Sequence, residues 1–337
     1  MLAAMNRRIV LASRPAGEPS PEDFRLEADT PVPEPASGQL LVKNLFLSID
    51  PYMRGRMSDR ASYARPVGIG EVMVGGTVGR VAKSAAPGYT AGDIVVGYGG
   101  WRDWALFDTS DRQVMKVDAS LAISTAVGVC GMPGVTAYFG LLKLGEPKAG
   151  ETVVVSAASG AVGSVVGQIA KQKGCRVVGV AGGPAKCDYV TGELGFDVCV
   201  DHRAPGMADA IRAACPKGID VYFENVGGKV LDAVAPLLNP GARVPICGFV
   251  SQYNEQEPVT PFTVLGALAT PPFHRFFLVW EWPDEYPAAV LALAAWVKEG
   301  KIRYREDISE GLAEAPRALI GVLRGQNFGK KVVRIED

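Results

Sequence analysis

Residues 156–186, SAASGAVGSVVGQIAKQKGCRVVGVAGGPAK, carry the residue types and spacing best suited to chemistry. Ala158-Ser-Gly160-Ala-Val-Gly163 has the form of a glycine-rich turn that closes around a phosphate, with an alanine at the first glycine position. Gly160 permits close backbone approach to a pyrophosphate, and Gly163 lets the following helix pack tightly on the sheet. A helix N-terminus beyond them offers N–H groups to negative charge. Ala158 costs little if its position needs no positive φ. The same letters also suit a purely structural turn between strand and helix.

The acidic residue that would hold an adenine ribose is missing about 20 residues further on. Gly182-Gly183-Pro184 stands there, with Lys186 just beyond. A carboxylate at that point repels a 2′-phosphate, whereas its absence beside an ammonium favours one by charge and by room. The pattern therefore predicts NADP rather than NAD. Read alone, Lys186 is equally a solvated surface lysine.

Other chemistries lack their residues. The six cysteines (Cys130, Cys175, Cys187, Cys199, Cys215, Cys247) form no C-x-x-C pair, and the only histidines are His202 and His274. The first 129 residues hold neither type, so a catalytic or structural zinc site cannot be built there in the usual way, and no metal is expected. No G-x-S-x-G elbow anchors a hydrolase triad. Gly145–Gly150 has P-loop spacing, but Glu151 fills the lysine position. Hydride transfer must then rely on hydroxyls, backbone N–H groups and positioning. Lys+Arg of 35 against Asp+Glu of 36 gives a net charge of −1, which argues against a nucleic-acid surface or a polybasic membrane anchor. The apolar run after Arg7-Arg8 is too short for a signal peptide, and no run approaches the roughly 18–20 residues of a span. The expected location is the cytoplasm.

Two kinds of element must position these residues. At 337 residues, two domains are the default. Residues 1–125 read as short alternating strands such as Gln39–Ser48, split by turn residues into a barrel-like domain. From about 126 to 298, buried strands at Thr152–Val155, Arg176–Val180, Val198–Val200, Ile219–Phe223 and Ala242–Cys247 alternate with helices. That pattern implies a doubly wound parallel sheet. Residues 299–337 form a C-terminal return to the first domain, and Lys330–Ile335 reads as an edge strand.

Several signatures, taken in order, resemble a known family. They are Leu47-Ser-Ile-Asp-Pro-Tyr-Met-Arg-Gly-Arg-Met-Ser-Asp59, Gly131-Met-Pro-Gly-Val-Thr-Ala-Tyr138, the 156–183 stretch, Tyr222-Phe-Glu-Asn-Val-Gly-Gly228, Cys247-Gly-Phe-Val-Ser-Gln-Tyr-Asn254 and Asn327-Phe-Gly-Lys-Lys331. The chain resembles the zinc-independent medium-chain dehydrogenases/reductases of the leukotriene B4 dehydrogenase and prostaglandin reductase group, the bacterial curcumin reductases among them. The resemblance implies a GroES-like β-barrel domain beside a Rossmann domain, and a homodimer. It also implies NADPH-dependent reduction of the C=C bond of an α,β-unsaturated ketone or aldehyde. Hydride would reach the β-carbon, the enolate oxygen would be stabilised, and the α-carbon would be protonated.

The resemblance also assigns residues. It puts the pyrophosphate on Gly160, Ala161, Val162 and Gly163, and the 2′-phosphate by Lys186. Asn225 faces the cofactor, Cys247, Gly248, Phe249, Val250, Ser251 and Tyr253 line the nicotinamide half, and Phe277, Leu278, Val279 and Asn327 make late contacts. Tyr253 is the catalytic candidate, through a phenol that fixes the ribose or donates toward the reacting centre; without the family it reads as a packing tyrosine. Tyr52 and Tyr63 are substrate-side candidates, although Tyr52 and Arg54 read equally well as structural, with Arg54 tied to a carboxylate. His202 stands where relatives often carry a tyrosine on the 2′-phosphate, and would serve best protonated; an exposed loop histidine is the plainer reading. Quinone reduction and a non-catalytic NADPH-binding protein remain the alternatives to enone reduction.

Overall fold

Valine-rich runs set the architecture. In the computed structural model, which describes residues 5–60, 62–118, 120–255 and 261–335, they build two compact units. One comprises the described residues up to Gly128 and from Glu306 onward, the other Val129–Arg305. The first holds β1 (Met5–Leu11), β2 (Phe24–Pro31), β3 (Gln39–Ser48), α1 (Tyr52–Arg56), β4 (Thr77–Ser84), β5 (Ile94–Gly97), β6 (Trp104–Asp108) and β7 (Met115–Lys116). The second begins with α2 (Met132–Phe139), β8 (Thr152–Ser156), α3 (Gly163–Gln172), β9 (Arg176–Ala181), α4 (Pro184–Gly192) and β10 (Val198–Asp201). It continues with α5 (Met207–Ala214), β11 (Ile219–Phe223), α6 (Gly228–Val234), β12 (Leu238–Ile246), α7 (Pro261–Gly266), β13 (Phe273–Phe276) and α8 (Tyr286–Lys298). The chain ends with β14 (Glu306–Glu310), α9 (Ala315–Leu323) and β15 (Lys330–Arg334), which belong to the first unit.

In the second unit every residue of β8 is buried, as a strand covered on both faces requires. The strand order is β10-β9-β8-β11-β12-β13, and all neighbours are parallel. Helices return the chain between successive strands, so the sheet is doubly wound, and its order reverses between β8 and β11. The carboxyl ends of those two strands flank the crevice in which ligands of such sheets bind. The segment after α8 is held to this unit by a local contact. Gln168 on α3 donates to the Arg303 carbonyl at 2.8 Å and accepts from the Arg303 amide at 2.7 Å.

The first unit is built on a sheet ordered β14-β15-β3-β4-β5-β7, with β6 pairing β3 and a separate β1–β2 hairpin. Its core gathers Leu47, Ile49, Met53, Met57, Trp101 and Val333. Here the reading of 330–335 as an edge strand is corrected. β15 lies inside the sheet, parallel to β14 and antiparallel to β3, with Val332 and Val333 fully buried. Alternation alone does not reveal a partner some 280 residues away.

One buried ion pair ties this return to the loop that carries Tyr52. Lys330, only 5% exposed, donates to the Ile49 carbonyl at 2.7 Å and to Asp50 Oδ1 at 3.1 Å, while Ser48 Oγ donates to Asp50 Oδ2. Removing one member of a buried pair leaves the other charge uncompensated. Lys330→Ala should therefore destabilise the protein by about 3–5 kcal/mol, read as a lowered urea midpoint.

Candidate functional site

The turn after β8 explains its alanine. Ala158 has no positive φ; the left-handed residue is Ala157, at φ 51°. Ala158 is fully buried and sits over Gly179 of β9, where an added Cβ would come within 2.8 Å of the Ala158 Cβ. Gly163 is required by space, because a Cβ there would meet the Ala157 carbonyl oxygen at 2.4 Å. Gly160, Ala161, Val162 and Gly163 thus pass directly into α3. Ser164 N and Val165 N bond the Gly160 and Val162 carbonyls at 3.1 Å, so the positive end of the helix starts at Gly163, where an anion is favoured.

At the ends of β9 and β10 three basic side chains gather. A Cβ on Gly182 would lie 2.9 Å from His202 Nε2 and 3.0 Å from Arg203 Nε, so the missing side chain keeps this space open. Lys186, in the first turn of α4, lies near enough to act on the His202 ring. Partial burial, the Arg203 guanidinium and the Lys186 ammonium together hold that imidazole below the ordinary histidine pKa. An anion placed among them would draw the proton back. Asp201, which sequence reading passed over, supplies the acid of this corner but turns it inward. Its Oδ1 accepts the Gly183 amide at 2.8 Å and the Arg203 amide at 2.9 Å, and these bonds pull its pKa down.

The other half of the crevice is organised by a second residue the sequence did not single out. Glu224 is fully buried at the end of β11. Its Oε1 accepts Val226 N at 2.6 Å, Gly227 N at 3.0 Å and Ser156 Oγ at 3.0 Å. Burial pushes the Glu224 carboxyl above its usual range despite those donors. Asn225 donates its amide to Ser156 Oγ at 2.8 Å and its Nδ2 to the Ser156 carbonyl at 2.7 Å, fixing the side chain over β8. The 247–251 segment is laced to the same turn: Cys247 N and Gly248 N donate to the Glu224 carbonyl, Val250 N to that of Asn225, and Ser251 N and Oγ to that of Val226. Burial and the nearby Glu224 push the Cys247 thiol up to about 12.

Phe249 stacks edge-on against Tyr253, whose hydroxyl lies 2.8 Å from the place a Gly248 Cβ would take. Phe277 is core, packed on Phe223, and its amide bonds the Ile246 carbonyl; the Leu278 amide bonds Glu281, and Val279 is buried. Both amides are thus engaged within the protein, and the Leu278 carbonyl accepts the Glu281 amide at 3.1 Å.

The remaining candidates belong to the first unit. Asn327 donates Nδ2 to the Gly329 carbonyl at 2.8 Å, capping the turn before β15. The Tyr52 hydroxyl is buried and has no hydrogen-bond partner among the described residues. Burial first, then Tyr98, Asp50 and Tyr63, push its pKa far up, so both other phenols lie within electrostatic reach of it. Tyr63 is 54% exposed and Tyr98 39%. Tyr98 sits in Gly97-Tyr-Gly-Gly100, which as sequence reads only as a turn. Arg54 is structural: it donates to the carbonyls of Gly17 and Pro15, with Asp23 within electrostatic reach.

The second unit has the doubly wound parallel sheet of a dinucleotide-binding domain, with a cluster of basic side chains at the ends of β9 and β10. Family models agree, matching residues 7–117 as an N-terminal domain of oxidoreductase and 161–291 as a zinc-binding dehydrogenase. The chain is 54% identical over 336 residues to the NADPH-dependent curcumin reductase of Escherichia coli, covering 98% of this chain and 97% of that one. It is 39% identical to the NADP⁺-dependent 2-alkenal reductase of Nicotiana tabacum over 98% and 97% of the two chains. Among solved structures, CurA from Vibrio vulnificus in complex with NADPH superposes with a TM-score of 0.91 at 48% identity, over 98% of this chain and 99% of that one. The chain belongs to the medium-chain dehydrogenase/reductase family, in the prostaglandin reductase group, with a GroES-like first unit and a Rossmann second unit.

The raised carboxyl of Glu224 has a testable sign. A group whose folded pKa lies above its unfolded value contributes stability below the unfolded pKa and loses it as pH rises through the folded one. Glu224→Gln keeps the acceptor and cannot ionise, so its stability should gain on the wild type as pH rises from about 4, the unfolded carboxyl range. Glu224→Ala should lose roughly 1–3 kcal/mol for the buried donors left unmet, with thermal melts across pH separating the two.

Proposed function

We propose that this protein is an NADPH-dependent reductase of the C=C bond in α,β-unsaturated ketones and aldehydes, working without metal. The observation that carries the cofactor choice is the corner where Gly182 has no side chain and Lys186 and Arg203 supply positive charge beside the His202 ring, while Asp201 is turned into its own loop. A 2′-phosphate fits that chemistry, and a ribose-binding carboxylate is missing from it. The names of the Escherichia coli and tobacco relatives support the substrate class. The metal-free reading rests on donor chemistry. The first 129 residues contain neither Cys nor His, and no cluster of three or more His, Cys, Asp or Glu suited to a metal occurs among the described residues.

Bound NADPH would supply the hydride for the β-carbon of the substrate. Gly160 to Gly163 and the start of α3 would hold its pyrophosphate, and Asn225 with the Cys247–Ser251 segment would orient the nicotinamide half. Phe277, Leu278 and Val279 are offered as contacts for the amide of that ring, and Asn327 as a further cofactor contact. Tyr253 would set the ribose or donate its phenolic proton in a hydrogen bond to the reacting centre. Tyr52, whose buried hydroxyl has no hydrogen-bond partner among the described residues, and the exposed Tyr63 are the hydroxyls proposed for the substrate.

We assign the protein to the cytoplasm; no helix among the described residues is long and apolar enough to cross a membrane. We also assign a homodimer, supported by β13 at the open edge of the parallel sheet with Phe273 52% exposed.

Purified protein should oxidise NADPH when given a simple enone, and the product should gain two hydrogens with its carbonyl retained. An allylic alcohol product would overturn the assignment. Lys186→Ala should raise the NADPH KM about tenfold, the worth of one charge-assisted hydrogen bond, and leave the NADH KM nearly unchanged; equal shifts would remove Lys186 from the 2′-phosphate.

A further inference from the structure

Two cysteines twelve positions apart meet at the edge of the parallel sheet. Cys187 lies in the first turns of α4 and Cys199 in the middle of β10, the outermost strand. The Cys199 thiol donates to Cys187 Sγ across 3.1 Å. Both are partly exposed and both are free thiols. Cys175 and Cys215 differ, being buried and only 3% exposed. A disulfide needs its sulfurs at about 2.05 Å, so roughly 1 Å of closure separates the thiols from a bond, within reach of small side-chain and helix adjustments.

The surroundings give that closure a consequence. Cys187 directly follows Lys186, and Cys199 precedes His202 by three residues on the strand that delivers it. Any pull between α4 and β10 therefore moves two of the basic groups around Gly182 relative to one another. The thiols also differ in role. Burial raises both, but the hydrogen bond from Cys199 lowers Cys187, whereas the same bond raises Cys199 further. Cys187 is the sulfur that accepts, and so the first to react as thiolate.

We propose that Cys187 and Cys199 form a reversible redox dithiol whose oxidation to a disulfide loosens the grip of the Lys186–His202 corner on a 2′-phosphate. The oxidant is a hydroperoxide. The Cys187 thiolate attacks one peroxide oxygen, the O–O bond breaks, and hydroxide leaves and takes up a proton, giving a sulfenic acid at Cys187 and one water. Cys199 sulfur then attacks the Cys187 sulfur, the S–O bond breaks, and the oxygen leaves as a second water with the Cys199 proton. Two thiols and one hydrogen peroxide become one disulfide and two waters. A small dithiol reverses the change. The effect on affinity rests on the cofactor reading above; the formation of the bond does not.

The test treats the full-length protein with hydrogen peroxide, then maps peptides without reduction and measures KM for NADPH and for NADH. The expected result is a Cys187–Cys199 cross-link reversed by dithiothreitol, with a several-fold rise in NADPH KM and little change for NADH. Cys187→Ser and Cys199→Ser should keep the KM values of the reduced protein and lose the response to peroxide. Absence of the cross-link overturns the proposal, as does a cross-link that leaves the NADPH KM unchanged. Failure of the cofactor reading has a separate signature: the reduced protein itself would show no preference for NADPH over NADH.

Discussion

The second unit depends on β8 and β11 lying side by side, parallel and buried, where the strand order reverses. Backbone pairing fixes both strands, so the segments that leave their carboxyl ends, 157–163 and 224–228, have to emerge next to one another. Ser156 at the end of one and Glu224 at the end of the other are hydrogen-bonded through the sheet itself. The 247–251 segment then pairs its amides with the Glu224, Asn225 and Val226 carbonyls. A buried acid that meets three donors with one oxygen acts as a staple between strand ends. Its hydrogen bonds meet only part of the cost of burial, which still pushes the carboxyl above its usual range.

The corner around Gly182 makes a different point about charge. It does not lack acids, since Asp201 is one residue from His202. What sets its character is where that carboxylate points. Two backbone amides claim its Oδ1, so its charge serves the turn, while the side chains against Gly182 are the His202 ring and the Arg203 guanidinium. Counting acids along the sequence would miss this, because direction is a property of the turn.

How far the sequence could be read follows from the range of each interaction. The valine run of β8 and the glycines after it were legible because each depends on neighbours within a few residues. Gly182-Gly183 with Lys186 was legible for the same reason. Ala157 as the left-handed residue was not, since its neighbour Ala158 is the one that breaks the familiar pattern. Glu224 in Phe-Glu-Asn reads as the first polar residue of a loop, yet the pairing of β11 with β8 and β12 buries it. Tyr98 looks like turn punctuation until the loop after β5 brings it within electrostatic reach of Tyr52. The place of β15 inside its sheet depends on a partner in β3, and nothing in Lys-Lys-Val-Val-Arg encodes that distance.

That last feature bears on how the molecule comes into being. β3 is made early, yet one of its sheet neighbours is β15, and Lys330 is the cation that balances the buried Asp50. On a growing chain the Phe46–Ser48 end of β3 therefore lacks one of its two neighbours, and the Asp50 carboxylate its cation, while the whole of Val129–Arg305 is synthesised. The second unit is contiguous and has every strand it needs by Arg305. Domains ordinarily fold in the order they are made; in this chain the order is inverted, and the residues translated first are the last to be completed.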